Sequence, residues 1–166
     1  MGSIKFAAPP ATQVDATPRF TQGVTVHENA GSSRVYIRNA DTSSFAAGDP
    51  VVSTTGPAVT EGIKASSGDD GEPERLLGFA AATIAAGEYG WAWRSGPSVL
   101  CAVAPGGVDI AAGSSLTLRF VSGLAGLGII PTAVVGVAPR TGIAWTAAVI
   151  ASTATTARVL LSMPSA

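Results

Sequence analysis

Between Phe20 and Met163 the chain alternates short apolar runs with clusters of Gly, Pro, Asp and Ser. In Arg34-Val35-Tyr36-Ile37-Arg38, Val35 and Ile37 fall on one side and the other three residues on the opposite side, the two-residue repeat of a strand. Leu116–Phe120 repeats the pattern, and Arg158–Ser162 does so less cleanly. Ile143–Ile150 has enough β-branched and aromatic residues for a strand apolar on both faces. Val24–Val26, Val51–Thr54, Val99–Val103 and Val134–Val137 supply further short runs. Between them lie turn formers: Ala47-Gly48-Asp49-Pro50, Thr55-Gly56-Pro57 and Pro105-Gly106-Gly107. Many short strands punctuated this way predict an all-β fold, an antiparallel β-sandwich or a small β-barrel. One short helix is predicted at Pro73–Leu77, where a proline and a glutamate occupy the first turn. Ser66–Glu72 reads as an exposed loop.

Residues 1–19 lack this patterning. Pro9, Pro10 and Pro18 cannot donate backbone hydrogen bonds and break any helix. The segment reads as an extended N-terminal arm, mobile alone and ordered against a neighbour, followed by a β-rich domain over 20–166. A small echo runs through the domain. Phe45-Ala46-Ala47-Gly48-Asp49, Ile84-Ala85-Ala86-Gly87-Glu88 and Ile110-Ala111-Ala112-Gly113-Ser114 share one form, apolar-Ala-Ala-Gly-polar. Their unequal spacing excludes a solenoid. Each reads as a turn leading into a strand, with the glycine taking a backbone angle that other residues resist.

Composition sharpens the picture. Charged residues make up 13% of the 166 residues, against roughly 25% in an average soluble protein. From Ser95 to Ala166 only Asp109, Arg119, Arg140 and Arg158 are charged. A surface so poor in ionic groups tends to associate, so much of the C-terminal half is expected to face another subunit. A net charge of −1 and a pI near 5.7 offer no attraction for nucleic acid or an anionic membrane. The lone cysteine, Cys101, excludes an internal disulfide framework and fits folding in a reducing cytosol. Met1–Phe6 lacks the charged start and long apolar run of a secretion signal. Phe120–Pro139 is uncharged, but its glycines and prolines suit turns between short strands better than a membrane span.

The chemistry-bearing residues are few. His27 is the only histidine, and no Gly-x-Ser-x-Gly elbow occurs. One His and one Cys cannot supply a structural zinc tetrad. Asp69, Asp70, Glu72 and Glu74 lack EF-hand spacing and read as a solvated acidic loop. The glycines of Gly123–Gly128 match neither a dinucleotide fingerprint nor a P-loop. Arg34 and Arg38 flank Tyr36 on one strand face, but Glu28, Asp41 and Asp49 lie close in sequence and weaken a nucleic-acid reading. The expectation is a protein that is not an enzyme and has no cofactor or metal. The more informative signal is Tyr89-Gly90-Trp91-Ala92-Trp93-Arg94, whose three rings share one strand face. That face is either a wall of the core or an aromatic-anchored interface. Tyr89, Trp91 and Trp93, with Phe6, Arg19 and Phe20 along the arm and at its root, form the candidate subunit or capsid interface.

The run from Leu77 to Trp91, in which an apolar strand enters an Ala-Ala-Gly turn and an aromatic-bearing strand leaves it, resembles a phrase of the small head-decoration (cement) proteins of tailed bacteriophages. Ala111–Leu116 resembles their second turn and strand. Val134–Ala138 with Val159–Leu161 resembles their closing strands. The likeness covers about Leu77 to Met163 and departs at Trp93–Pro97 and Pro139-Arg140. It implies a β-sandwich or small barrel on the outside of an icosahedral head, bound to the major capsid protein and commonly trimeric, with terminal arms that clamp neighbours. It implies a place on the virion after synthesis in the host cytoplasm. The alternative from another class is a phage fibre or receptor-binding β-domain.

Overall fold

The computed structural model describes residues 8–28, 31–54, 61–66, 75–103, 115–121, 124–129, 142–144 and 155–162. Ten strands run through them: β1 (Thr25–His27), β2 (Ser33–Asn39), β3 (Pro50–Ser53), β4 (Glu61–Lys64), β5 (Leu76–Ala80), β6 (Tyr89–Val103), β7 (Ser115–Val121), β8 (Leu124–Ile129), β9 (Gly142–Ala144) and β10 (Thr155–Ser162). The pairings close on themselves. β2 pairs β4, β4 pairs β3, β3 pairs β5, β5 pairs β6, and β6 returns to β2, a five-stranded barrel. Of the two all-β architectures expected, the barrel is the one formed. A second circuit leaves β6 through β10, β9, β7 and β8 and returns through a parallel pairing of Val103 with Leu127. Among the described residues no helix is long and apolar enough to cross a membrane.

The alternation in β2 decides the barrel's inside. Val35 and Ile37 point inward with Phe45, Val51, Leu77, Ala80, Ile84 and Ala92 to make one buried cluster. A second cluster joins the two circuits: Val52, Leu76 and Phe79 from the barrel meet Val99, Cys101, Leu116, Val159 and Leu161. Cys101 is fully buried there and packs as a small hydrophobe.

Two Ala-Ala-Gly turns lock the barrel through matching bonds. The Phe45 N–H donates to the Ile84 carbonyl at 2.9 Å, and the Ile84 N–H returns a bond to Phe45 at 3.1 Å. Gly48 donates to Ala80, and Gly87 donates to Asn39. Both glycines take the left-handed angle the echo requires, at φ 90° and 81°. The polar residue closing each turn folds back, Asp49 accepting from the Ala46 N–H and Glu88 from the Ala85 N–H. The pairing of β2 with β6 is thus mirrored by that of β5 with β3, an approximate internal twofold. The third echo, Ile110–Ser114, lies outside the described residues.

Two expectations are corrected. Of the short helix expected at Pro73–Leu77, Arg75 stands in a 3₁₀ turn, whereas Leu76 and Leu77 open strand β5, all five residues of which are buried. The tertiary environment between β3 and β6 overrides the local helix signal. Tyr89–Arg94 and Val99–Val103 belong to one strand, β6, whose pairing with β10 shifts register across Gly96–Val99; an irregularity of this kind is where a strand tolerates a residue such as Pro97. Over its described part, residues 8–19, the arm lies against the barrel of its own chain, as detailed below. Val134–Val137 and most of Ile143–Ile150 lie outside the described residues.

Candidate interface: the aromatic face and its covering arm

Because Val35, Ile37 and Ala92 point inward, the alternate residues of β2 and β6 point out. The register sets them in facing pairs: Arg34 opposite Trp93, Tyr36 opposite Trp91, and Arg38 opposite Tyr89. The sequence-predicted rings therefore lie on the barrel's outer face, joined by a second row from β2. Ring centroids of Tyr36 and Trp91 are 5.0 Å apart, and Tyr36 stacks on Tyr89 at 6.1 Å. The Arg34 guanidinium lies 4.8 Å from the Trp91 ring and 5.8 Å from that of Trp93, within cation–π range.

The chain's own N-terminal segment covers this face. Phe20 meets Tyr36 edge-on at 5.2 Å and Trp91 at 5.4 Å. Asp15 bridges β6: its N–H donates to the Tyr89 carbonyl and its carbonyl accepts from the Tyr89 N–H, both at 2.9 Å. The Tyr36 hydroxyl donates to the Asp15 carboxylate at 2.8 Å, and the Gln13 amide donates to both carboxylate oxygens at 3.0 Å. The Arg19 N–H donates to the Tyr36 oxygen at 3.3 Å. Val14 packs against the barrel-interior cluster, and Arg34 donates to the Pro9 carbonyl.

Coverage divides the predicted residues. Trp91 is 1% exposed and Tyr36 is fully buried, both covered by groups of their own chain. Phe20, Tyr89 and Trp93 are half-buried and Arg19 is exposed, so their outer parts are open to a partner. Trp93 also touches the cluster joining the two circuits. Phe6 lies outside the described residues. The face brings Phe20, Tyr89, Trp91 and Trp93 together.

The electrostatics are unusual for an outer face. Arg34 is 1% exposed and pairs with Glu28 at 2.7 Å. Burial pulls its pKa below the ordinary arginine value, and Glu28 opposes that shift. Its Nε and Nη1, together with Trp91 Nε1, find no hydrogen-bond partner among the described residues. Burial pushes the Tyr36 hydroxyl up to about 12, reinforced by Asp15 and opposed by the Arg19 N–H. Asp15 and Glu28 were not singled out as part of this face from the sequence. Asp15 stands in an arm with no strand period, and its partner Tyr89 is distant in the chain.

No family model matches the chain, and no curated protein matches it. Among solved structures, it is similar to the crystal structure of the head fiber gp8.5 N base in bacteriophage phi29, with 17% identity and a TM-score of 0.46, over 78% of this chain and 94% of that one.

Proposed function

We propose that this chain is a structural virion protein, a decoration or cement protein that binds the outer surface of a bacteriophage head and stabilises it. The observation that carries the reading is the Leu77–Trp91 phrase on which the family resemblance rests. In the fold it forms a buried strand, a turn with Gly87 at φ 81°, and a departing strand bearing Tyr89, Trp91 and Trp93. Two physical features support it. The C-terminal half is nearly without charge, which suits a surface covered by like or unlike subunits. The outer rims of Phe20, Tyr89 and Trp93 offer aromatic anchors beside exposed Arg19. Such contacts, at roughly 25 cal/mol per Å² of apolar area, act additively when repeated over a shell. The proposed partners are the major capsid protein and further copies of the chain, with a trimer the expected self-association. No covalent chemistry, cofactor or metal enters this role.

The test is binding to purified heads that lack the protein, followed by electron microscopy. The expected result is saturable co-sedimentation at a fixed ratio to the capsid subunit, with new density spread over the shell. Density confined to fibres or the tail would transfer the chain to the receptor-binding class. Failure to bind heads at any ratio would overturn the proposal.

A further inference from the structure

The two Ala-Ala-Gly turns related by the internal twofold match bond for bond, except where one of them carries another strand. Gly48 and Gly87 donate to Ala80 and Asn39, and these two residues in turn donate to the Asp49 and Glu88 carbonyls. The closing acid of each turn accepts the same bond, from the Ala46 or the Ala85 N–H. Two contacts of the first turn have no counterpart in the second. The Ala102 N–H, on β6, donates to the Gly48 carbonyl at 2.8 Å, and Lys64 pairs with Asp49 at 3.3 Å. Among the described residues, no donor meets the Gly87 carbonyl and no cation pairs with Glu88.

The two glycines differ in access. β6 crosses directly over Gly48, which is buried: a Cβ there would lie 3.4 Å from the Ala102 nitrogen and 3.5 Å from the Leu100 oxygen. At Gly87 a Cβ would meet nothing within 4 Å, and Thr83, Ala86 and Gly87 are all exposed. A turn of two alanines and a glycine lets a second backbone come close. The first turn uses that capacity within the chain, and the second presents it to the outside.

We infer that the Ile84–Glu88 turn is a docking site for an extended segment of a partner protein, held as β6 is held on Gly48. The occupied turn defines the chemistry. The segment lays a main-chain N–H on the Gly87 carbonyl, has small side chains beside the crossing, as Cys101 and Ala102 are, and brings a lysine or arginine to Glu88, as Lys64 serves Asp49. A second copy of the chain cannot lend its own matching stretch. Leu100–Ala102 is paired with β10 along one edge and held by Gly48 on the other. On the function proposed above, on which this last step rests, the partner is a protein of the head surface.

Purified heads lacking the protein test the site with matched variants. Glu88→Gln and Asp49→Asn each remove one charge and keep an oxygen for the turn-closing bond. Ala86→Arg fills the open approach from an exposed position. Glu88→Gln should weaken head binding about threefold, and Ala86→Arg about tenfold or more, both with unchanged denaturation midpoints. Asp49→Asn should bind as the unsubstituted chain does. Undiminished binding by either second-turn variant, or a loss in Asp49→Asn equal to that in Glu88→Gln, would overturn the docking site and leave head binding itself standing. A second arm needs no head. A peptide of residues 98–103, with Cys101→Ser and an added C-terminal lysine, is titrated into the isotope-labelled chain and followed by amide NMR. The Gly87 and Glu88 signals should shift, saturating at roughly millimolar peptide, and should shift less in Glu88→Gln. No shift by about 10 mM peptide would overturn the inference whatever the heads do.

Discussion

Tyr36 joins the arm to the barrel by its hydroxyl as well as by its ring. The hydroxyl donates to Asp15 and accepts from the Arg19 N–H, while the ring contacts Phe20, Tyr89 and Trp91. Tyr36→Phe keeps the ring packing and removes both bonds, so denaturant titration should show a loss of about 1–2 kcal/mol. The same hydroxyl sets a pH dependence. In the unfolded chain it titrates near its ordinary value of 10.0, and in the fold only at about 12. Between those values the unfolded state has lost a proton that the native state keeps, so stability falls as pH rises through this window. Titration of tyrosine absorbance should show one phenol ionising late, and the Tyr36→Phe chain should lack both that phase and its share of the alkaline destabilisation. Arg34 follows a different logic. Its ion pair with Glu28 and its place over Trp91 offset only part of the cost of burying a guanidinium with unused donors.

Among the elements, those with a plain period were legible and those shaped by close approach were not. β2 was readable because Val35 and Ile37 alternate with polar or aromatic neighbours, and β7 for a similar reason. β4, Glu61-Gly62-Ile63-Lys64, carries no apolar alternation because its inward position is Gly62, where a Cβ would collide with Val51. From Pro73 and Glu74 the start of β5 reads as a helix end, and β5 itself shows no plain two-residue repeat, because a register shift opposite Val51 and Val52 puts Leu76 with Phe79 in one cluster and Leu77 with Ala80 in the other. The aromatic row of β6 was legible. Its cover was not, because the arm meets it through single contacts with no local pattern. Two glycines separate backbone angle from backbone approach. At Gly87 the surroundings are open and only φ resists a side chain, so Gly87→Ala should cost about 1 kcal/mol. At Gly78 a Cβ would run into the Trp93 carbonyl on the paired strand, so Gly78→Ala should cost roughly 3 kcal/mol or more. Chemical denaturation of the two variants measures the difference.

For the whole molecule, the arm forms part of the folded structure. Removing Met1–Pro18 deletes the Asp15 bridge and the acceptor for Arg34, and it uncovers part of the face around Tyr36 and Trp91. The truncated chain should remain β-rich by circular dichroism, lose about 2–4 kcal/mol of stability and show red-shifted tryptophan emission. On the proposed role it should also bind heads more weakly, and unchanged head binding would deny the arm a clamping part.

β6 serves as a stave in both closed circuits. Fraying it from one side breaks ladders on the other, and the seam cluster shares Val99 and Cys101 with both halves. The two circuits are therefore expected to unfold as one cooperative unit, which native-state hydrogen exchange along β6 would check. On the proposed role, a load from a swelling shell would reach both circuits through this one continuous stretch of main chain.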